Sequence, residues 1–200
     1  DLLRGDGERF PPILLHRLDA DTTGVLLFAL TNAANRELSR QFAGREVEKI
    51  YLALVAGIPP DSISVNNFLK PGVRGRTVAV PSGGQPAETA FRVLKTYSPP
   101  LSNGNDGGFA LVEARPMTGR THQIRAHLAG KGFPLLGDSH YGGPLLVAAG
   151  GERLHIRRHL LHAFRLAFRH PATGKETTIE APLPADFKVV LNLAFQYSNL

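Results

Sequence analysis

The sequence contains no cysteine, and this absence removes several chemistries at once. A chain without thiols forms no disulfide, offers no thiolate nucleophile and cannot bind zinc through sulfur. Long apolar runs are missing as well, because the stretch GVLLFAL at residues 24–30 is too short to span a bilayer. Internal repeats and low-complexity tracts are also absent. The sequence therefore indicates an ordinary folded chain with no membrane span.

What is present is a hydrophobic fraction of 42% and an excess of basic residues, 23 Lys and Arg against 17 Asp and Glu. The hydrophobic fraction is enough for the core of one large or two-lobed domain. The net charge of +6 favours a polyanionic partner such as nucleic acid, although a solvated basic face is the alternative. The basic residues that crowd one late stretch are Arg153, Arg157, Arg158, Arg165, Arg169 and Lys175.

The apolar pattern predicts an α+β fold with a mainly antiparallel, mixed β-sheet core and flanking helices and loops. Helices are expected from residue 31 or 32 to 44, over 121–129 and over 184–197. Residues 61–86 are expected to form hairpins or loops, and residues 98–108 and 130–143 to form loops. The predicted strands are 13–18, 25–30, 50–55, 87–97, 109–115, 160–168 and 176–181.

A first charged cluster, HRLDADTTG at residues 16–24, lies where one predicted strand ends and the next begins. An aspartate in such a turn often only hydrogen-bonds its own backbone. The functional interpretation is that Asp19 is a carboxylate held at the mouth of a sheet beside Arg17. The residues alone leave both interpretations open.

A second cluster, TGRTHQIRAHL at residues 118–128, places a glycine turn before a predicted helix. The first turn of a helix offers free N–H groups and the positive end of the helix dipole. With Arg120, His122 and Arg125 nearby, it could receive a phosphate or pair with a carboxylate. The alternative is a helix with ordinary solvated arginines. The glycine-rich loop GDSHYGG at residues 137–143 is a weaker signal.

Two other patterns do not support a function. His155 and His159 have the i, i+4 spacing that metal sites use, but no acidic residue between them and no cysteine accompany it. No metal site is therefore expected. Residues 16–19 also suggest a kinase catalytic loop, but the aspartate does not directly follow the arginine, and both the glycine-rich phosphate loop and an Asp-Phe-Gly motif are missing.

Residues 16–24 resemble the catalytic-loop signature of RluA-type RNA pseudouridine synthases, His-Arg-Leu-Asp-x-x-Thr-Ser-Gly, with Thr23 in place of the usual serine. Residues 49–57 (KIYLALVAG) resemble the Lys-x-Tyr strand of that family, and residues 118–128 match its Thr-Gly-Arg-Thr-His-Gln-Ile-Arg-x-His-Leu motif almost unchanged. Further similar segments follow in order at residues 137–142, 161–163, 170–171 and 181–184.

The family usually has more strand sequence before the catalytic loop, and some members carry an S4 RNA-binding domain there. Neither is present in this chain, which begins at Asp1 and not at a methionine. We expect residues 1–200 to be a pseudouridine synthase catalytic domain that is truncated at its N-terminus and has no S4 domain. The resemblance implies the pseudouridine synthase fold.

The resemblance also implies an enzyme that isomerises uridine in RNA to pseudouridine, with no cofactor and no metal. Asp19 is then the catalytic carboxylate, and a bidentate pair with Arg125 keeps it ionised and oriented. The ring of Tyr51 stacks on the uracil, and its hydroxyl helps to remove the C5 proton. A tyrosine that only fills the core is the alternative.

The substrate-binding residues implied by the resemblance surround this group. Arg17 takes the space that the flipped base leaves, and the late basic stretch contacts phosphates. Ribosomal RNA is the first expected substrate and transfer RNA the second, for a monomer in the cytoplasm that does not bind membranes. The expected substrate-binding set is Arg17, His16, Thr22, Arg120, His122, Ile124 and Leu128, of which Ile124 and Leu128 form an apolar wall.

Two alternatives remain. The first is an RNA-binding homologue without catalysis, which has no need for Asp19, Tyr51 and Arg125 together. The second is a hydrolase that frees the base with Asp19 and Asp21 as paired carboxylates. Residues two apart in a turn give no indication of the separation that such a pair requires.

Overall fold

The computed structural model describes residues 11–97, 108–149 and 152–197. The helices there are α1 (Asn32–Ala43), α2 (Gln123–Gly130) and α3 (Ala185–Tyr197). The strands are β1 (Ile13–Leu14), β2 (Thr23–Gly24), β3 (Phe28–Ala29), β4 (Glu48–Ala56), β5 (Ser62–Pro71), β6 (Thr77–Val80), β7 (Gln85–Tyr97), β8 (Phe109–Pro116), β9 (Leu146–Ala149), β10 (Glu152–His155), β11 (Leu161–Arg169) and β12 (Glu176–Glu180). The predicted loop at residues 98–108 lies outside the described residues except for its last position.

One large sheet carries the fold, in the order β12-β11-β4-β8-β7-β5-β6. Its neighbouring strands are antiparallel, while β2 joins the edge of β11 in parallel. The predicted α+β class with a mainly antiparallel, mixed sheet is confirmed. In the described ranges, no helix combines the length and apolarity that crossing a bilayer requires.

Strand β4 lies at the centre of the fold and is buried on both faces. Leu52 and Leu54 face a core that α3 closes, while Ala53 and Val55 face a second core beneath α2. A strand covered on both sides does not need polar residues at alternate positions, which explains the weak alternation in its sequence. Tyr51 lies on the α2 side, at the point where β4 enters the cores.

The prediction of one buried strand over residues 25–30 is wrong. Val25 is buried, but Leu26 and Phe28 are 39% and 43% exposed. The chain touches the sheet only briefly, at Gly24. This position requires glycine, because its φ is 121° and a Cβ there would lie 2.1 Å from the carbonyl oxygen of Ala163. It then turns away, so that β3 pairs with β1 instead of the large sheet.

Other predicted bounds change in the structure. The strand expected at residues 13–18 is reduced to β1, and the hairpin of β9 with β10 was not predicted. The helix predicted to end at Gly44 does so, with the Thr31 side chain capping its start. The left-handed residue that follows this helix is Arg45, with a φ of 58°.

Candidate active site

A cavity of about 330 Å³ opens where the loop after β1 meets β4 and the turn before α2. This volume lies within the range of sites that hold small molecules or single bases. Its lining includes Tyr51, Ile124 and Leu161 together with Asp19 and Arg17. The motifs that are far apart in the sequence therefore meet in one place.

The loop that carries Asp19 is held by side chains from the start of β11 and from the residues before it. Thr22 Oγ1 lies 2.8 Å from His159 Nε2, and Thr23 Oγ1 lies 2.8 Å from His162 Nδ1. Asp21 takes a left-handed φ of 68°, and its carbonyl accepts a 2.8 Å hydrogen bond from Arg158 Nη1. These contacts position the aspartate without using its carboxylate.

Arg158 links this loop to the last helix. Its guanidinium makes two hydrogen bonds of 2.6 and 2.8 Å to the carboxylate of Asp186 in α3. The same guanidinium holds the carbonyl of Asp21. The position of the Asp19 loop therefore depends on α3, which is distant in the sequence.

Asp19 and Arg125 are brought together, but not as the predicted bidentate pair. Arg125 Nη1 lies 3.6 Å from Asp19 Oδ2, whereas its Nε and Nη2 donate to the two oxygens of Asp138 at 2.8 and 2.9 Å. Although burial opposes the charge, the hydrogen bonds and charge of Asp138 raise the pKa of Arg125. The cation beside Asp19 is therefore permanent, and Asp138 is the residue that orients it.

Tyr51 lies half-buried at the bottom of the cavity, and burial followed by the negative charge of Asp19 raises its pKa to about 12. The phenol consequently keeps its proton at neutral pH. Ile124 lines the cavity nearby and supplies part of the predicted apolar wall. Leu128, the other predicted member, is fully buried in the core below α2 and does not line the cavity. The helix turns it inward, so this prediction is wrong.

The turn before α2 carries His122 and Arg120 at the rim. His122 takes a left-handed φ of 53°, and its Nδ1 lies 3.1 Å from the hydroxyl of Tyr141. Burial lowers the pKa of His122 despite the charge of Asp19, so the ring is neutral near pH 7. Arg120 donates its Nε to the carbonyl of Pro86 at 3.0 Å, which fixes its guanidinium at the edge of the cavity.

His16 also lines the cavity, but its ring mainly stabilises the fold. Its Nε2 accepts the backbone N–H of Leu27 at 3.1 Å, and its ring stacks on Phe42 with centroids 5.3 Å apart. Burial, followed by the charge of Lys49, lowers the pKa of His16, which suits the acceptor role. Arg17 differs, because it is exposed and its side chain forms no hydrogen bond or ion pair with the described residues. It is available to a ligand.

The late basic stretch does not form one free surface. Arg158 pairs with Asp186, and Arg165 lies within 4.0 Å of Glu48 and Glu180. His162 is buried and lies 3.1 Å from the carbonyl of Ala181. Arg158 precedes β11, while Arg165 and His162 lie on it, and all three have partners, so these side chains are not free for a polyanion.

Sequence reasoning gave no role to Gln123, which fixes the turn at the start of α2. Its Oε1 accepts from the Thr118 hydroxyl at 2.7 Å and from the Arg120 N–H at 3.0 Å. Its Nε2 donates to Thr89 Oγ1 and to the carbonyl of Glu88, both at 2.9 Å. A buried amide needs such partners, but Glu88 and Thr89 lie on β7, far from Gln123 in the sequence, and leave no local pattern.

A sequence model of the family described as RNA pseudouridylate synthase matches residues 2–130. An uncharacterized RNA pseudouridine synthase of Chloroflexus aurantiacus is 39% identical over 92% of this chain and 54% of its own length. Ribosomal large subunit pseudouridine synthase C of Buchnera aphidicola is 39% identical over 90% of this chain and 55% of its own length.

A solved structure, human RNA pseudouridylate synthase domain containing 1, superimposes with a TM-score of 0.69 at 27% identity. The match covers 92% of this chain and 80% of that one. The chain spans about half the length of the curated relatives it matches. The family model covers more than half of the chain, and the relatives agree with it. The chain belongs to the RNA pseudouridylate synthase family.

Proposed function

We propose that this chain converts specific uridines of structured RNA to pseudouridine in the 330 Å³ cavity, with Asp19 as the catalytic carboxylate. The observation that carries the proposal is the position of Asp19, 3.6 Å from the buried cation of Arg125 and in the same cavity as Tyr51. An RNA-binding homologue without catalysis would gain nothing from a carboxylate on the wall of this basic pocket. The whole of residues 1–200 serves as the catalytic domain.

The reaction is an isomerisation and needs no redox partner. The N1–C1′ bond breaks, the uracil turns within the cavity, a C5–C1′ bond forms, the proton on C5 is lost and N1 takes up a proton, so that the composition is unchanged. Asp19 either attacks C1′ or the uracil ring, or stabilises positive charge at C1′ along a glycal route. In every route the carboxylate must be ionised, and the charge of Arg125 favours that form.

Tyr51 supplies the face on which the uracil stacks. Since its pKa is raised to about 12, the phenol enters the reaction protonated. The hydroxyl therefore takes the C5 proton only as its own proton moves on, to Asp19 or to solvent. A phenylalanine would keep the stacking surface and lose this transfer.

The uridine must leave its helical stem to reach the cavity, which costs roughly a few kcal/mol. Arg17 is exposed at the rim and has no described partner, so its planar guanidinium is free to fill the vacated space in the stack. Arg120 also lines the cavity, and its remaining guanidinium N–H groups are proposed to bind a phosphate. The names of relatives favour ribosomal RNA over transfer RNA, and a cytoplasmic monomer stays the expectation.

The structure speaks against the paired-carboxylate hydrolase. Asp21 is exposed and does not line the cavity, whereas Asp19 does. Asp21 takes a left-handed backbone conformation, and its carbonyl accepts a hydrogen bond from Arg158. One carboxylate in the cavity fits an isomerase better than a hydrolase that requires two.

Release of tritium from RNA made with 5-tritiated uridine tests the proposal. Ribosomal and transfer RNA are assayed separately with the wild-type chain and with Asp19→Ala, which removes the carboxylate. We expect release from one RNA class and none with the variant, while RNA binding persists. RNA binding with no release from either class would contradict the proposal and favour the non-catalytic homologue.

A further inference from the structure

A second cavity of about 210 Å³ lies beside the first, between the end of α1 and the end of β8. We call it the α1-end groove and define it by residues 45–49 and 115–117. Lys49 and Pro116 line both cavities, so the groove continues directly from the candidate active site. A strand of RNA whose uridine occupies the first cavity would pass the second.

The groove holds two cations without partners. Among the described residues, the side chains of Arg45 and Lys49 form no hydrogen bond or ion pair. The acidic residues of the groove are already engaged, because Glu46 accepts from Arg40 at 2.5 and 3.0 Å and Glu48 accepts from Arg115 at 3.1 Å. The charge that remains for a ligand is therefore positive.

The two cations also affect each other. Burial, followed by the charge of Arg45, lowers the pKa of Lys49. Like charges held close together without a counter-ion are destabilising, and an anion placed between them would relieve the repulsion. The repulsion between Arg45 and Lys49 therefore supports a negatively charged ligand, in agreement with the position of the groove beside the first cavity.

Arg45 is held in a backbone conformation that disfavours it. The helix ends so that Gly44 takes a φ of −75° while Arg45 takes a φ of 58°, with hydrogen bonds from Arg45 N to Phe42 O and from Glu46 N to Gln41 O. This left-handed position after a helix usually belongs to glycine or asparagine. Strain of this kind at the edge of a cavity points to a function for the side chain.

We propose that the α1-end groove binds the backbone phosphate of a nucleotide next to the target uridine, between Arg45 and Lys49. Met117, which is 46% exposed, and Pro116 give the sugar or base of that nucleotide an apolar surface. The proposal rests on the proposed function, since it is the flipped uridine that brings the neighbouring phosphate to this place. It assigns substrate positioning to Arg45, which lies outside the family motifs, together with Lys49 at the start of the Lys-x-Tyr strand.

The test replaces Arg45 with asparagine, which removes the cation and tolerates the left-handed backbone. We expect the melting temperature of this variant to be unchanged or higher. Measuring it shows that a loss of binding does not come from an unstable fold. Arg74→Asn is the matched control, as Arg74 is also exposed, also left-handed at a φ of 54°, and lines neither cavity. Binding is measured by fluorescence anisotropy with a labelled uridine-containing RNA over a series of KCl concentrations.

We expect Arg45→Asn to weaken binding by about 5-fold to 10-fold near 0.1 M salt and to reduce the slope of log K against log salt by about 1. Arg74→Asn should leave the slope as in the wild type. Equal slopes for all three proteins would overturn the groove proposal.

A second arm locates the phosphate. A neutral methylphosphonate replaces each phosphate flanking the uridine in turn. At one of these positions, the methylphosphonate should lower the affinity of the wild type but cause no further loss of affinity in Arg45→Asn. Equal losses of affinity in both proteins at every position would overturn the proposal. Tritium release by the wild type separates the groove proposal from the proposed function. Release together with equal salt slopes for all three proteins would contradict only the groove proposal, whereas RNA binding without release would contradict the proposed isomerase function.

Discussion

Arg125 gives its two short hydrogen bonds to Asp138, at 2.8 and 2.9 Å, and lies at 3.6 Å from Asp19. All three side chains are largely buried, at 7%, 1% and 17% exposure for Arg125, Asp138 and Asp19. Two carboxylates thus share one guanidinium. Asp138 holds the guanidinium, whereas Asp19 lines the cavity. We therefore infer that Asp138 is a positioning residue for the Asp19–Arg125 pair that is proposed to carry the chemistry.

The first prediction concerns Asp138→Asn. The amide cannot accept both hydrogen bonds of the guanidinium, so Arg125 loses its orientation and part of its charge compensation. We expect kcat to fall about 100-fold with a smaller change in KM, and the free energy of unfolding to fall by about 3 kcal/mol. Steady-state tritium release and urea unfolding measure the two effects.

The matched control is Asp61→Asn, because Asp61 is exposed and does not line the cavity. Arg125→Lys keeps the positive charge but should not keep the activity, since an ammonium group cannot replace the planar guanidinium. A variant at Asp138 that unfolds more easily but turns over at the wild-type rate would show that the residue is only structural.

Tyr51→Phe separates stacking from proton transfer. The ring remains, but the hydroxyl whose pKa is raised to about 12 is removed. Turnover should fall by about 100-fold to 10,000-fold, while the affinity for RNA stays within about 2-fold. Single-turnover rates and anisotropy titrations give the two quantities, with Tyr97→Phe as a control in the other core. A drop in affinity that matches the drop in rate would assign Tyr51 to binding alone.

Arg17 should matter only when the target uridine is stacked. Arg17→Ala removes the group that fills the vacated space, so kcat/KM for a uridine in a stem is expected to fall about 100-fold. For the same uridine in an unpaired oligonucleotide the loss should be less than about 5-fold. Arg17→Lys should restore little, because an ammonium group does not stack. Equal losses on both RNAs would indicate a plain phosphate contact.

Two buried histidines make the fold sensitive to acid. Burial lowers the pKa of His127 to about 4, and burial with the charge of Arg125 does the same for His159. Each ring binds its proton near pH 6.5 in the unfolded chain and only near pH 4 in the folded one. The unfolded state therefore takes up more protons between these values, and stability must fall as the pH drops from 7 toward 4.

The neutral form of His127 fits its contacts, with Nδ1 2.9 Å from Thr89 Oγ1 and Nε2 3.0 Å from Asn67 Oδ1. Scanning calorimetry should show a Tm that decreases by several degrees from pH 7 to pH 5. His127→Gln should flatten this dependence, whereas His155→Gln, at an exposed position, should not. A Tm that rises on acidification would contradict the assignment.

The sequence predicted the fold class and most of the large sheet, because long strands such as β7 and β8 carry their own pattern of burial. It failed over residues 25–30, where the apolar run leaves the sheet after Val25, whose N–H donates to the carbonyl of Ala163. Short apolar runs have no periodicity of their own, and a backbone contact with Ala163 decides their course. The hairpin of β9 and β10 was also not predicted, because each strand has only four residues and is too short to carry a clear periodicity.

The residues of the site that belong to the family motifs could be predicted from the sequence. The resemblance placed Asp19, Tyr51 and Arg125 together, and in the structure Asp19 and Tyr51 line one cavity while Arg125 lies 3.6 Å from Asp19. It did not show that Asp138 takes the bidentate hydrogen bonds, nor that Arg158 and His159 hold the Asp19 loop. These partners are far apart in the chain or act on backbone atoms, so they leave no signature in the spacing of residues.

The most direct test of the account is the identity of the product. RNA treated with the chain is digested to nucleosides and separated by chromatography, with Asp19→Asn as the control that keeps the shape of the side chain. The account predicts pseudouridine in an amount equal to the uridine lost, no free uracil, and neither change with the variant. Free uracil, or unchanged uridine in RNA that the wild-type chain binds, would contradict it.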